Sequence, residues 1–401
     1  MQALSNLERG YIKKRILLIT LDSHFLDNDR VFPYLGILYL AAVAERVGLQ
    51  VRYVNNYDDL FLRGNLKESI LFYTDEFNME NIQLYKDFDL ICISCFTPQA
   101  QQAYLLRRLL KEKYPQIKIV IGGPHANVYL QDCIAEGFDI ICVGDGERIF
   151  ESLLLGDIKT LKKLLHPLLT DKTLIFRNQL SLVQMNSYPP PLRQNEYLGR
   201  YKYILRDRPV TTIVNSRGCP MKCSFCEEGG TIGRWYSVEH FNAEIESIVS
   251  MGITGVMIFD DLFTISSNKI RPYLNSLKKY HREKELIYRC FGHASVISKF
   301  PDMIKMLAES GCVELGVGAE SASQKILDVV EKRTKVNQLH DFVNCAIAGG
   351  INVKAFFIIG LPGETEETFK ETYNFIKKYR EKYPDNFDFD LNYFSHTKGV
   401  K

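Results

Sequence analysis

Three of the ten cysteines fall together in Ser216-Arg-Gly-Cys219-Pro-Met-Lys-Cys223-Ser-Phe-Cys226, a C-x3-C-x2-C spacing. Thiolates are metal ligands, and three on one short segment can grip one side of a compact centre. Positions four and seven residues apart also share a helix face, so a buried cysteine stripe is the alternative. Gly218, Pro220 and the pair Gly229–Gly230 oppose an uninterrupted helix and favour a loop. A structural zinc site wants four closed ligands, and the nearest further candidate, His240, is distant in sequence. An iron–sulfur cluster normally takes four thiolates; three on a four-iron cubane leave one iron open to a ligand. The spacing and the glycine-flanked loop favour a cluster, with zinc or inert thiols as the alternatives.

Such a loop needs an element to position it, and the strand TTIVN runs directly into it. Periodicity predicts strands at Val210–Asn215, Gly255–Phe259, Leu286–Phe291, Cys312–Gly318, Asn352–Ile359 and Phe387–Phe394, each pair separated by a helical stretch. Six βα units in series predict a partial barrel whose functional residues sit at the carboxyl ends of strands. In Cys312–Ser321 (CVELGVGAES) alternation sets Glu314, Gly316, Gly318 and Glu320 on one face. Two glycines there leave room for a ligand, with Glu320 at the rim. Adjacent carboxylates such as Asp260 and Asp261 point to opposite faces of a strand, so at most one faces the cavity and the other serves as a helix cap or turn residue. His293, which ends Arg289-Cys-Phe-Gly-His293, reads as structural, with a polar ligand contact as the alternative.

Ahead of this lies a second βα pattern. Predicted strands at Arg15–Thr20, Gln50–Val54, Asp89–Ser94, Lys118–Ile121 and Asp139–Val143 alternate with amphipathic stretches. Pro33 and Gly48 bracket one helix in the Pro-start, Gly-stop manner; Pro115 ends another. Five parallel strands make a doubly wound sheet whose ligand site lies beyond the strands' carboxyl ends. Between the two patterns periodicity loosens, and Pro189–Pro190–Pro191 can continue neither helix nor central strand. The division expected is a doubly wound domain at 12–150, a linker with some local structure at 151–208, and the barrel at 209–401.

C-x3-C-x2-C with an aromatic before the last cysteine, at the end of a barrel's first strand, resembles the radical S-adenosyl-L-methionine (SAM) superfamily. The resemblance implies that Cys219, Cys223 and Cys226 hold a 4Fe-4S cluster whose open iron chelates SAM, that the cluster cleaves SAM to a 5′-deoxyadenosyl radical, and that Phe225 lies near the adenine. It also implies that Glu320 and Ser321 lie near the methionyl and ribose groups and that backbone from Ile358 to Gly360 meets adenine. Phe356 stands where that fifth-strand element carries its first glycine. The element Phe259-Asp260-Asp261-Leu-Phe263 resembles one from the cobalamin-linked branch, with Asp260 as its cofactor candidate.

The N-terminal motifs Phe32-Pro33-Tyr-Leu-Gly36, Ile93-Ser94-Cys-Phe-Thr97, Ile121-Gly122-Gly123-Pro124-His125 and Val143-Gly144-Asp145-Gly146-Glu147 resemble, in order and spacing, the cobalamin-binding domain that precedes many radical SAM barrels. The resemblance implies corrin contacts at Ser94, Thr97, Gly122, Gly123, Gly144, Gly146 and Glu147; small residues at strand ends let backbone approach a flat macrocycle. A domain that packs without binding anything is the alternative. Cobalamin domains that use a protein imidazole carry D-x-H-x-x-G after the first strand. Here Asp22-Ser-His24-Phe-Leu-Asp27 has aspartate in place of the glycine, so His24 reads as a solvated loop residue, with cobalt ligation the alternative.

The α/β fold expected is thus a Rossmann-like cobalamin-binding domain followed by a partial (β/α)6 radical SAM barrel. The resemblance covers about residues 12 to 395 and implies a methyltransferase acting on an unactivated carbon of a small-molecule substrate, drawing electrons from a donor such as flavodoxin or ferredoxin. Two SAM molecules are consumed, one giving its methyl group to cobalamin and the other the radical. A cyclase, ring-contraction or oxidation enzyme with the same cofactors is the alternative, as is a truncated, silent member, since the sequence ends just after the sixth strand. Composition agrees. Fifty Lys+Arg against 48 Asp+Glu leave +2 over 401 residues, no basis for a general nucleic-acid or anionic-membrane binder. The longest apolar stretch, Leu35 to Ala44, is short of the ~20 residues that span a bilayer, no signal-peptide core is present, and sparse cysteines suit a reducing compartment. A cytoplasmic location is expected.

Overall fold

The computed structural model describes residues 15–21, 32–54, 70–74, 81–170, 172–226, 229–300 and 302–394. The chain divides into two compact units, Met1–Lys202 and Tyr203–Lys401.

In the first unit seven strands form one parallel sheet: β1 (Arg15–Thr20), β2 (Gln50–Tyr53), β3 (Ile70–Thr74), β4 (Leu90–Ser94), β5 (Lys118–Gly122), β6 (Ile140–Gly144) and β7 (Leu174–Asn178). Their spatial order is β2-β3-β1-β4-β5-β6-β7. Parallel strands covered by helices on both faces are apolar throughout, as in the fully buried Ile-Leu-Phe-Tyr-Thr of β3. The core joins Leu17, Ile93, Ile121 and Ile141 to Ala103 and Leu106 of helix Ala100–Lys113. The direction of winding reverses between β1 and β4, which opens the crevice of a doubly wound sheet at their carboxyl ends.

The five strands expected from sequence are all present, and two more flank them. β3 inserts between β2 and β1; a five-residue apolar run without alternation carries no period that marks it as a strand. β7 lies within the stretch 151–208 and pairs in parallel with β6 over its whole length, so part of that stretch belongs to the first sheet. Pro189–Pro191 sits outside helix and strand.

The second unit opens with β8 (Ile204–Leu205), antiparallel to β9 (Arg208–Ile213). A small antiparallel pair follows, β10 (Ser216–Arg217) with β11 (Arg234–Trp235). Then come β12 (Gly255–Ile258), β13 (Ile287–Gly292), β14 (Cys312–Glu320), β15 (Asn352–Ile359) and β16 (Phe387–Tyr393). β9 and β12 to β16 lie side by side in chain order, all parallel, as a curled half-barrel. All six barrel strands stand where periodicity places them. Side-chain caps fix the outer helices: Ser237, Ser266 and Thr365 accept from the backbone N–H three residues on in helices Val238–Ser250, Ser267–Lys284 and Glu366–Lys382. Ile258, Cys290, Leu315, Ala355 and Phe357 face those helices in one core. Alternation turns Phe259, Arg289, Phe291, Glu314, Lys354 and Phe356 to the concave side. Among the described residues no helix is long and apolar enough to cross a membrane.

Candidate active site

The cysteines sit on the loop that β10 and β11 close like the neck of a purse, at the carboxyl end of the first barrel strand. Backbone hydrogen bonds hold this loop at several of its described residues. Gly218 N–H donates to Asp261 Oδ2 at 3.1 Å, and Cys219 N–H to Thr231 Oγ1 at 2.9 Å. Cys226 N–H reaches Cys223 O at 3.2 Å, Gly230 N–H reaches Met221 O at 2.5 Å, and Ser224 N–H reaches Val330 O at 3.0 Å. Gly218 adopts φ +93°, and a Cβ there would lie 2.7 Å from Thr231 Oγ1. At Gly229 a Cβ would crowd three carbonyls, those of Cys223, Cys226 and Met221, at 3.1 to 3.3 Å. These two glycines are steric requirements of the loop.

Asp260 and Asp261 act on the same loop from β12's end. Asp260 is buried; its Oδ1 accepts from Asn215 N–H at 2.6 Å and its Oδ2 from Ser216 Oγ–H at 2.7 Å. Burial raises its carboxyl to about 7 against those hydrogen bonds. Asp261 is also raised, chiefly by burial, with the Gly218 N–H opposing. Both residues lie just beyond the end of β12, and both carboxylates clamp the segment that leads into the cysteines. The cavity contact expected of Asp260 is replaced by a supporting role, because both its oxygens already hold the strand that feeds the loop.

Burial raises the thiols of Cys219 and Cys223, and each is further raised by neighbouring cysteines of the set. Among the described residues no three His, Cys, Asp or Glu side chains close round a single metal ion. A tetrahedral zinc with ~2.3 Å bonds needs sulfurs about 3.8 Å apart. A cubane instead takes each thiolate on a separate iron and asks for sulfurs around a shared volume. Three neighbouring thiols on one hydrogen-bonded loop are a donor set that fits such a cluster.

Phe225 and Ile358, expected from the resemblance to lie near adenine, meet on one apolar patch with Ile326, Val330 and Leu361. Gly360 has φ +85°, and its N–H donates to Glu364 Oε2 at 2.6 Å. Glu320 ends β14 after a register shift, in the left-handed region at φ +58°. Its Oε1 accepts from Lys332 Nζ at 2.7 Å, both side chains buried. Ser321 is buried outward: its hydroxyl pairs with Thr372 Oγ1 at 3.1 Å and accepts from Ser323 N–H at 3.1 Å. The room expected at Gly316 and Gly318 is occupied by this chain. A Cβ at Gly316 would meet Phe291 at 2.7 Å, and one at Gly318 would meet Glu320 Oε1 at 2.5 Å and Lys332 Nζ at 2.9 Å. Phe356, Phe291 and Phe259 adjoin in series across three strands, with centroids 5.8 and 5.9 Å apart.

His293 bonds Ser295 Oγ through Nδ1 at 2.8 Å, while its buried Nε2 has no partner. Burial, and then Lys332, lower it to about 3, so the ring is neutral. Lys332 itself escaped sequence reasoning, since the segment EKRTK carries no period or motif.

In the first unit the crevice at the β1–β4 switch gathers the expected small residues. Cβ atoms built on Gly36 and Gly123 would both lie about 3.5 Å or less from Ser94 Oγ. Gln99 ties the strand ends together, donating to Leu21 O and accepting from Phe96 N–H at 2.9 Å. Thr97 Oγ1 sits 3.4 Å from His125 Nδ1, whose ring bonds Tyr104 at 2.7 Å and stacks on Tyr129. Gly122 has only ordinary contacts around its missing Cβ. Gly123 (φ +91°) and Gly144 (φ +85°) are fixed by packing, since a Cβ would meet Cys95 backbone at 2.9 Å or Asn178 O at 2.1 Å. Gly146 caps the helix Glu147–Leu155, with Glu147 buried in its first turn. A crevice walled by Ser94, Gly122 and Gly36 fits the approach of a flat macrocycle. His24 lies outside the described residues.

Residues 213–376 match the family model of the Radical SAM superfamily, and residues 30–154 that of the B12 binding domain. The chain is 28% identical over 359 residues to an uncharacterized methyltransferase of Pyrococcus horikoshii, covering 86% of this chain and 73% of that protein. It is 26% identical over 305 residues to the anaerobic magnesium-protoporphyrin IX monomethyl ester cyclase of Rubrivivax gelatinosus, covering 73% of this chain and 54% of the cyclase. Among solved structures it resembles the radical SAM methyltransferase TsrM of Kitasatospora setae, with cobalamin and a 4Fe-4S cluster bound: TM-score 0.66, 17% identity, 94% of this chain and 75% of that one. It also resembles the cobalamin-dependent SAM radical enzyme OxsB: TM-score 0.69, 19% identity, 91% of this chain and 52% of that one. The chain thus spans about half the length of the cyclase and of OxsB.

Proposed function

We propose that this chain, which belongs to the radical SAM superfamily and carries a B12-binding domain ahead of its barrel, is a cobalamin-dependent methyltransferase acting on an unactivated carbon of a small-molecule substrate. The observation that carries the reading is the hydrogen-bonded three-thiol loop at the end of the first barrel strand, in one chain with a small-residue crevice at a doubly wound sheet's switch point. Bound at these sites, the cluster would supply an electron to cleave SAM, and cobalamin would supply a methyl group.

The chain's residues then divide by task. Cys219, Cys223 and Cys226 bind the cluster; Asp260, Asp261 and Thr231 orient their loop. Phe225, Ile358 and the backbone at Gly360 offer an apolar seat for adenine, with Glu320 as the charged acceptor beside it and Ser321 fixing that turn from behind. Ser94, Thr97, Gly122, Gly123, Gly144, Gly146 and Glu147 border or support the corrin crevice. The three-phenylalanine row gives the concave face an apolar lining. Reduction calls for a one-electron donor such as flavodoxin or ferredoxin, and thiols kept reduced suit a cytoplasmic setting.

A second reading, cyclisation or oxidation with the same cofactors, is favoured by the likeness to the magnesium-protoporphyrin cyclase. Anaerobic turnover with candidate substrates separates the two. The methyltransferase yields S-adenosylhomocysteine and 5′-deoxyadenosine in equal amounts with a methylated product. Formation of 5′-deoxyadenosine with product but without S-adenosylhomocysteine would overturn methyl transfer in favour of the second reading.

A further inference from the structure

Lys332 is a buried cation that the proposed division of labour leaves without a task. Its Nζ is 2.7 Å from Glu320 Oε1 and 6.0 Å from the centroid of Phe225, the residue between Cys223 and Cys226. Its segment is tied to the cysteine loop by the Ser224 N–H to Val330 O hydrogen bond and by Phe225 packing on Val330. Burying an ammonium is costly unless it is paired, and here a backbone already strained at Glu320 (φ +58°) delivers the partner. Beside the cysteines, Asp261 and Glu320 are the acidic groups, and Lys332 is near enough to Cys223 and Cys226 to favour their charged forms.

We propose that Lys332 is a positioning residue that sets the reduction potential of the centre held by Cys219, Cys223 and Cys226, with Glu320 holding it in place and tempering its charge. The proposal rests on the cluster reading above. Cluster potentials follow local charge and solvent exposure, and a buried charge is poorly screened. On reduction the cluster gains one electron from an external donor such as dithionite, and a nearby cation favours that more negative state. Removing the cation therefore makes reduction harder. Removing its counter-charge makes reduction easier, and removing both leaves the local charge unchanged.

The test is an EPR-monitored redox titration of the anaerobically reconstituted full chain, without SAM, after iron, sulfide and circular dichroism have confirmed assembly. Lys332→Met should shift the midpoint negative and Glu320→Gln positive, each by about tenfold in the reduced fraction at fixed potential, or ~59 mV for one electron. The double variant and Lys332→Arg should stay near the wild type. If the wild type assembles no cluster, the underlying reading fails. If clusters form but the two single variants leave the midpoint in place or move it the same way, the positioning role is overturned. Loss of the cluster in every variant at 332 and 320, with the wild type loaded, assigns the pair a structural role and equally overturns the proposal.

Discussion

At the scale of single residues, two carboxylates and a threonine hold the segment that carries the three cysteines. Cys223→Ala should abolish 5′-deoxyadenosine formation from SAM while circular dichroism and melting stay near wild type. Gly229→Ala should lose iron and sulfide on reconstitution with the fold kept, because its methyl group would press on three loop carbonyls. Asp260 makes a pH prediction. Folding raises its carboxyl from 3.8 to about 7, so the folded state holds the proton more tightly than the unfolded one. Its contribution is most favourable below about pH 4, declines as pH rises through about 7, and is level above; the full swing is up to ~4 kcal/mol. Denaturation at pH 5 and pH 8 should show wild type losing stability relative to Asp260→Asn across that window; parallel profiles would contradict the assignment. The cysteines were legible because their spacing is chemical information in itself. Lys332 and the clamp by Asp261 were not, because both depend on tertiary approach between segments that share no period.

At the scale of elements, alternation and βα order sufficed to locate all six barrel strands, since each pairs with its chain neighbour. β3 and β7 were missed for a different reason: β3 is a short, wholly buried run without alternation, and β7 lies where the sequence periodicity loosens. Alternation also put Gly316 and Gly318 on the concave face, but it could not foresee that Phe291, Phe356 and the Glu320–Lys332 pair would fill the space. Glycines in the first sheet separate into two kinds. Gly144→Ala should destabilise the unit by at least ~1–2 kcal/mol, since φ +85° is left-handed and a Cβ would meet Asn178 O at 2.1 Å. Gly122→Ala, with only ordinary neighbours, should leave denaturation unchanged and weaken cobalamin binding followed by its visible spectrum. Equal destabilisation by both would remove Gly122 from the crevice wall.

At the scale of the whole molecule, each unit has its own candidate site at the carboxyl ends of its own parallel strands, so cluster and cobalamin binding are tested separately. Cys223→Ala should still take up cobalamin with an unchanged spectrum, and Gly122→Ala should still load iron. The central proposal is that three thiols hold a cluster with one iron left for SAM. Anaerobic reconstitution with iron and sulfide, followed by EPR of the reduced protein with and without SAM, tests this most directly. The expected result is a reduced-cluster signal that changes on addition of SAM and disappears in Cys223→Ala. Zinc in place of iron, or a cluster signal indifferent to SAM, would contradict it.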